Sequence, residues 1–141
     1  PLTLNLGIIS YCKENFKITL DLRCPHDMDF DNMISKFQTV CANYGFNETH
    51  NIGEALYVDP DSKLIKTLHE AYVNVTGDTV NKPQTMGGGT YAKSMPNCVA
   101  FGAEFLGEDN LIHGNNENIN IESLLKATEI YCQAIYNLIK V

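Results

Sequence analysis

Nowhere in its 141 residues does this chain hold a run of about 20 apolar side chains, the length a bilayer-spanning helix requires. Basic residues are also scarce. Ten Lys and Arg against seventeen Asp and Glu leave a formal charge of −7, and no stretch gathers the cations into a patch. That balance repels phosphate backbones and anionic lipid, so neither nucleic acid nor a membrane surface is an expected partner. Cysteine is present at Cys12, Cys24, Cys41, Cys98 and Cys132, an odd number with no Cys-x-x-Cys pair. The expectation is buried thiols in a reducing, cytoplasmic compartment. Internal repeats and low-complexity segments are missing, and Pro1 to Ser10 has neither the basic start nor the small-residue cleavage site of a signal peptide. The chain opens without Met and runs straight into patterned sequence, as expected of a piece cut from a longer protein.

What is present is ordinary globular material, 44% hydrophobic and 19% charged. A compact domain of this length buries roughly 70% of its unfolded surface, so a real core is possible. Leu2, Leu4, Leu6 and Ile8 alternate with small or polar residues, and Phe16, Ile18, Leu20 and Leu22 do the same after Lys13-Glu14-Asn15, which predicts a β-hairpin. Phe30, Met33, Ile34, Phe37, Val40, Cys41 and Tyr44 fall at helical spacing, with Gly45 as a left-handed stop. A weaker strand is expected within Phe46 to Val58. Asp59-Pro60-Asp61-Ser62 then breaks the chain and caps a second helix that carries Leu64, Ile65, Leu68, Ala71, Tyr72 and Val75 and ends at Gly77. Thr79 to Met86 reads as extended, Cys98 to Phe101 as a short strand, and Ile121 to Ile139 as the longest helix. The order predicts a small antiparallel α/β lobe followed by part of an α/β sandwich.

Several motifs admit two readings. Gly87 to Ser94 approaches the Walker A phosphate loop, but Ala92 replaces the second glycine and Pro96 disfavours the helix such a loop must feed. Three consecutive glycines serve either a tight turn or a backbone that lets a ligand approach closely, and the Thr90 hydroxyl beside exposed amides suits a carboxylate. Asp27 to Asp31 imitates the start of an EF-hand, yet Asn32 and Gln38 stand where Gly and Glu are needed, so capping of the next helix is the better account. Arg23 at a strand end is an exposed charge or a two-pronged carboxylate grip. His113, in the polar stretch "LIHGNNENI", is a solvated side chain or a metal donor, and Glu117 an outer acceptor or a charge ahead of the last helix. His26, His50 and His69 supply no second ligand at useful spacing.

Taken in order, "ITLDLRCP" (Ile18 to Pro25), "MGGGTYAKSMPNCVAFG" (Met86 to Gly102) and "NLIHGNNENINIESLLKATEIY" (Asn110 to Tyr131) resemble the carboxy-terminal part of bacterial PepV-type dipeptidases. These belong to the metallopeptidase superfamily of aminoacylase, carboxypeptidase G and carnosinase, and the resemblance covers essentially the whole chain. It implies an α/β (α+β) fold. Residues 1–58 would end a ferredoxin-like lid domain with a four-stranded sheet, and residues 59–141 would be the returning segment of a two-metal catalytic domain. It further implies that Arg23, Gly88, Gly89 and Thr90 hold the terminal carboxylate of a dipeptide substrate and that His113 is a metal ligand. Two divalent ions are expected in the parent enzyme, zinc first, with manganese or cobalt as options. The His-x-Asp, bridging Asp and Glu-Glu elements of such enzymes are missing here, so an N-terminal catalytic segment would be this chain's partner and the piece alone would be inactive. The competing expectation is a non-catalytic module that binds a carboxylate ligand or a protein.

Overall fold

A computed structural model describes residues 2–102, 104–109 and 111–140. It shows a mixed α/β chain with a two-stranded antiparallel sheet and three helices, divided into two compact units, Pro1–Ala55 and Leu56–Val141.

In the first unit β1 (Thr3–Cys12) pairs with β2 (Asn15–Arg23). The alternation that predicts this hairpin is interrupted once. Leu6 faces Leu20 but Ile8 faces Thr19, so Gly7 is a bulge residue with no partner of its own. One spare residue shifts the phase of β1. Leu4, Leu6, Ile9 and Tyr11 therefore share a face with Leu22, Leu20, Ile18 and Phe16, while Ile8 falls on the polar face instead of continuing the series from Leu2. A Cβ on Gly7 would lie 3.4 Å from the Thr19 carbonyl oxygen, an ordinary van der Waals contact.

Helix α1 (Phe30–Asn43) begins where Asp29 accepts from the Asn32 N–H at 3.0 Å, the capping role expected of the acidic run. It ends at left-handed Gly45 (φ 74°), whose N–H donates to Ala42. Phe30, Met33, Ile34, Phe37 and Cys41 are half-buried, and no residue of the helix is fully buried. The strand expected within Phe46 to Val58 does not form. A strand exists only through ladder hydrogen bonds, and among the described residues none lies alongside this one. Phe46 instead sets its ring 6.0 Å from that of Phe16. Glu48, held by Gln38 (3.0 Å) and His50 (2.8 Å), fastens the segment to α1.

The second unit is built on α2 (Lys63–Thr76) and α3 (Ile121–Ile139). Ser62 caps α2 through Ile65 N–H, and Gly77 ends it at φ 71°. Asn120 caps α3 through Glu122 N–H at 2.8 Å. Leu68 and Ala71 of α2 and Ala127, Ile130 and Ala134 of α3 are buried, at the three- and four-residue spacing of one helix face. Alanine at the contact lets two helix backbones approach closely. Val99 and Phe101 pack on the cluster of Leu68, Ala71 and Ala134, and Tyr131 donates to the Phe101 carbonyl at 3.2 Å with the rings edge to face. Residues 98–101, expected as a strand, are thus an irregular segment held by side-chain packing and that one tie. The thiols also depart from expectation. Cys12 and Cys132 are exposed and the other three are half-buried, because Cys12 ends a strand next to a turn and Cys132 lies off the buried face of α3.

Candidate carboxylate-binding loop

The approach to the glycine loop is set by the end of α2. Asp78, just past the Gly77 stop, accepts from the Tyr72 hydroxyl (2.8 Å), the Asn81 side chain (2.7 Å), and the backbone N–H groups of Val80 and Asn81 (3.0 Å each). The Asn81 side-chain amide above all, then its backbone N–H and the Tyr72 hydroxyl, hold the Asp78 carboxyl well below the usual carboxylate range. The same contact pushes the Tyr72 phenol up. This knot fixes the direction in which residues 79–86 leave the helix. An Asp directly after a helix-stopping Gly is the signal that sequence reasoning passed over.

At the far end of that segment, Thr90 caps a four-residue 3-10 turn, Tyr91–Ser94, accepting from the Ala92 N–H at 3.3 Å. Ala92 is buried and anchors the turn, and Met95 is extended at φ −130°, as the following Pro96 dictates. No α-helix runs on past Lys93 and Ser94, so the Walker A reading fails on the geometry it most needs. Neither Gly88 nor Gly89 adopts a left-handed φ, and a Cβ would meet nothing closer than Met86 Cε at 3.5 Å or Lys93 Nζ at 3.9 Å. A tight turn therefore does not explain these two glycines; their chemical effect is to leave bare, accessible amides beside a hydroxyl. With its oxygen accepting from Ala92, the Thr90 hydroxyl keeps its own proton for a ligand.

His113 lies on a strained loop. Leu111, His113 and Asn116 all have left-handed backbones (φ 52°, 58° and 63°). Gly114 closes the turn, its N–H donating to the Leu111 carbonyl at 2.7 Å, and a Cβ there would lie only 2.9 Å from that oxygen. The loop presents an exposed imidazole, with no hydrogen bond to Glu117, Thr90 or the glycines among the described residues. No group of three or more His, Cys, Asp or Glu gathers to hold a metal ion among those residues. One imidazole is fewer donors than a bound cation needs, so the residues present do not fit a metal centre by themselves. Arg23 belongs to the other unit, at the end of β2, where its Nε contacts Asp21 at 3.3 Å. The structure thus groups Gly88, Gly89 and Thr90, and leaves Arg23 and His113 on separate elements.

Comparison with known proteins adds the family. The model for peptidase family M20/M25/M40 matches residues 9–137. The chain belongs to that family. A Staphylococcus epidermidis protein described as "Putative dipeptidase" is 42% identical over 138 residues, which are 96% of this chain and 29% of that protein. Similarly described proteins of Staphylococcus haemolyticus and Staphylococcus aureus USA300 are 40% and 38% identical over the same shares. This M20 chain therefore spans about 29% of the length of the curated relatives it matches.

Proposed function

We propose that this chain is the carboxy-terminal part of a cytoplasmic, metal-dependent dipeptidase of PepV type, inactive until joined to an upstream catalytic segment. The observation that carries the reading is the Gly88-Gly89-Thr90 loop, whose bare amides and hydroxyl can donate to an anion, in a chain of a peptidase family with relatives described as "Putative dipeptidase". Amide and hydroxyl donors match a group that every such dipeptide substrate carries, its terminal carboxylate. Holding that group fixes the distance from the peptide's acidic end to the scissile bond, which is how such a site limits substrate length.

In the parent, Arg23 adds a charged grip on the carboxylate and His113 supplies one donor to a pair of divalent ions, zinc first, with manganese or cobalt as options. When bound, such ions polarise a carbonyl and lower the pKa of water. The remaining donors and the general base come from upstream, so the chain's own residues bind and orient and transfer no proton. Removing the imidazole in the full-length protein (H113A) is expected to lower its metal content by up to one ion per chain and abolish dipeptide hydrolysis. A variant that keeps full metal content and turnover would refute the assignment.

A further inference from the structure

The glycine loop has a cation of its own. The Lys93 ammonium lies 3.9 Å from the point where a Cβ on Gly89 would sit, the nearest group there outside the chain's immediate neighbours. No carboxylate pairs with Lys93 among the described residues, although the molecule carries seventeen acidic side chains to ten basic ones. Neither the Gly88 nor the Gly89 amide donates to an acceptor among those residues. The Thr90 oxygen accepts from Ala92, so the hydroxyl can still donate its own proton. Two amides, a hydroxyl and an ammonium thus fall within six residues of one loop, all donors, with one full positive charge and no counter-charge.

Two features keep this arrangement in place. Ala92, buried beneath the 3-10 turn, sets the start of the lysine's path, so the side chain rises from a fixed point. Gly89 leaves open the space beside which the ammonium lies, since even a Cβ there would be in contact with it at 3.9 Å. An exposed lysine with no partner ordinarily keeps its rotamer freedom in water, so a position over bare amides is one that an anion would convert into a held one.

We infer that Lys93 is a specificity-determining residue that reads the negative charge of the substrate's terminal carboxylate, together with the Gly88, Gly89 and Thr90 donors. The inference rests on the dipeptidase reading and sharpens it, since it assigns charge recognition to the loop itself. Neutral donors already bind a carboxylate more tightly than a carboxamide oxygen, and an ammonium widens that preference for the anion. Lys93 accordingly adds, from within the loop, to the site's preference for a free acid over its amide.

The test compares full-length enzyme carrying Lys93, K93M and K93R on a dipeptide and on the same dipeptide as its carboxy-terminal amide. K93M is expected to raise KM for the free acid about fivefold with kcat held within about twofold, and to leave kcat/KM for the amide unchanged. K93R, which keeps the charge, is expected to stay within about twofold of the parent on both. Equal losses on acid and amide, or no change in their ratio, would overturn the role of Lys93 while leaving the dipeptidase reading intact. A parent enzyme that hydrolyses no dipeptide would overturn both. Lys93 is exposed, so a matching thermal midpoint separates a folding defect from lost recognition.

Discussion

The two units solve the burial problem to very different degrees. In Leu56–Val141, α2 and α3 close on each other through Leu68, Ala71 and Ala134, and Ala127 and Ile130 of α3 are buried too, every one below a tenth exposed. In Pro1–Ala55 the hairpin has an equally regular apolar face, yet Leu4, Leu6 and Ile9 remain more than half exposed, and no described residue of the unit is buried. A clean hydrophobic pattern creates a face. What covers the face is a separate question, answered for the helices by a partner within the chain. The stability of the described structure therefore resides in the helical unit.

Substitutions on the two units should respond unequally, and the largest effect is expected at the helix pair. Leu68→Ala removes a buried side chain at the α2–α3 contact and should cost about 2–4 kcal/mol in denaturant unfolding of the chain. An intermediate effect is expected for Asp78→Asn, which weakens the hydrogen bonds at the end of α2. The Asp78 carboxyl titrates below its unfolded value, so its stabilisation is present at neutral pH and is lost as pH falls through the depressed native value. The variant should melt lower at neutral pH and show a flatter acid limb in a series of thermal midpoints, and parallel limbs would contradict the assignment. The smallest effect is expected on the hairpin. Ile9→Thr exchanges one half-exposed β-branched residue for another and should change stability by no more than about 0.5 kcal/mol in the same measurement. A loss comparable to that of Leu68→Ala would mean that the hairpin face is covered after all.

Much of this was legible from residues alone because its causes are local. Helical spacing, Ser62 as a cap and Gly45 and Gly77 as stops locate α1 and α2 through interactions within a few residues. Alternation locates the hairpin, but not the slip at Gly7, which depends on what stands opposite in β2. The strands expected within Phe46 to Val58 and at Cys98 to Phe101 failed for the same reason: apolar runs do not state whether a neighbour exists to pair with. Of the site, the glycine loop was visible in composition. Lys93 was not, since only the folded turn carries its ammonium back over Gly89. The left-handed backbone of His113 is equally silent in sequence, being imposed by contacts around Leu111 and Gly114.

The bulge at Gly7 makes β1 two rulers joined with an offset. Deleting that glycine would remove the offset and keep every pair, with Leu6 opposite Leu20, Ile8 opposite Thr19 and Ile9 opposite Ile18 in one regular ladder. A homologue that lacks this one residue would need none of its downstream apolar positions rewritten, because the spare residue has no partner to lose.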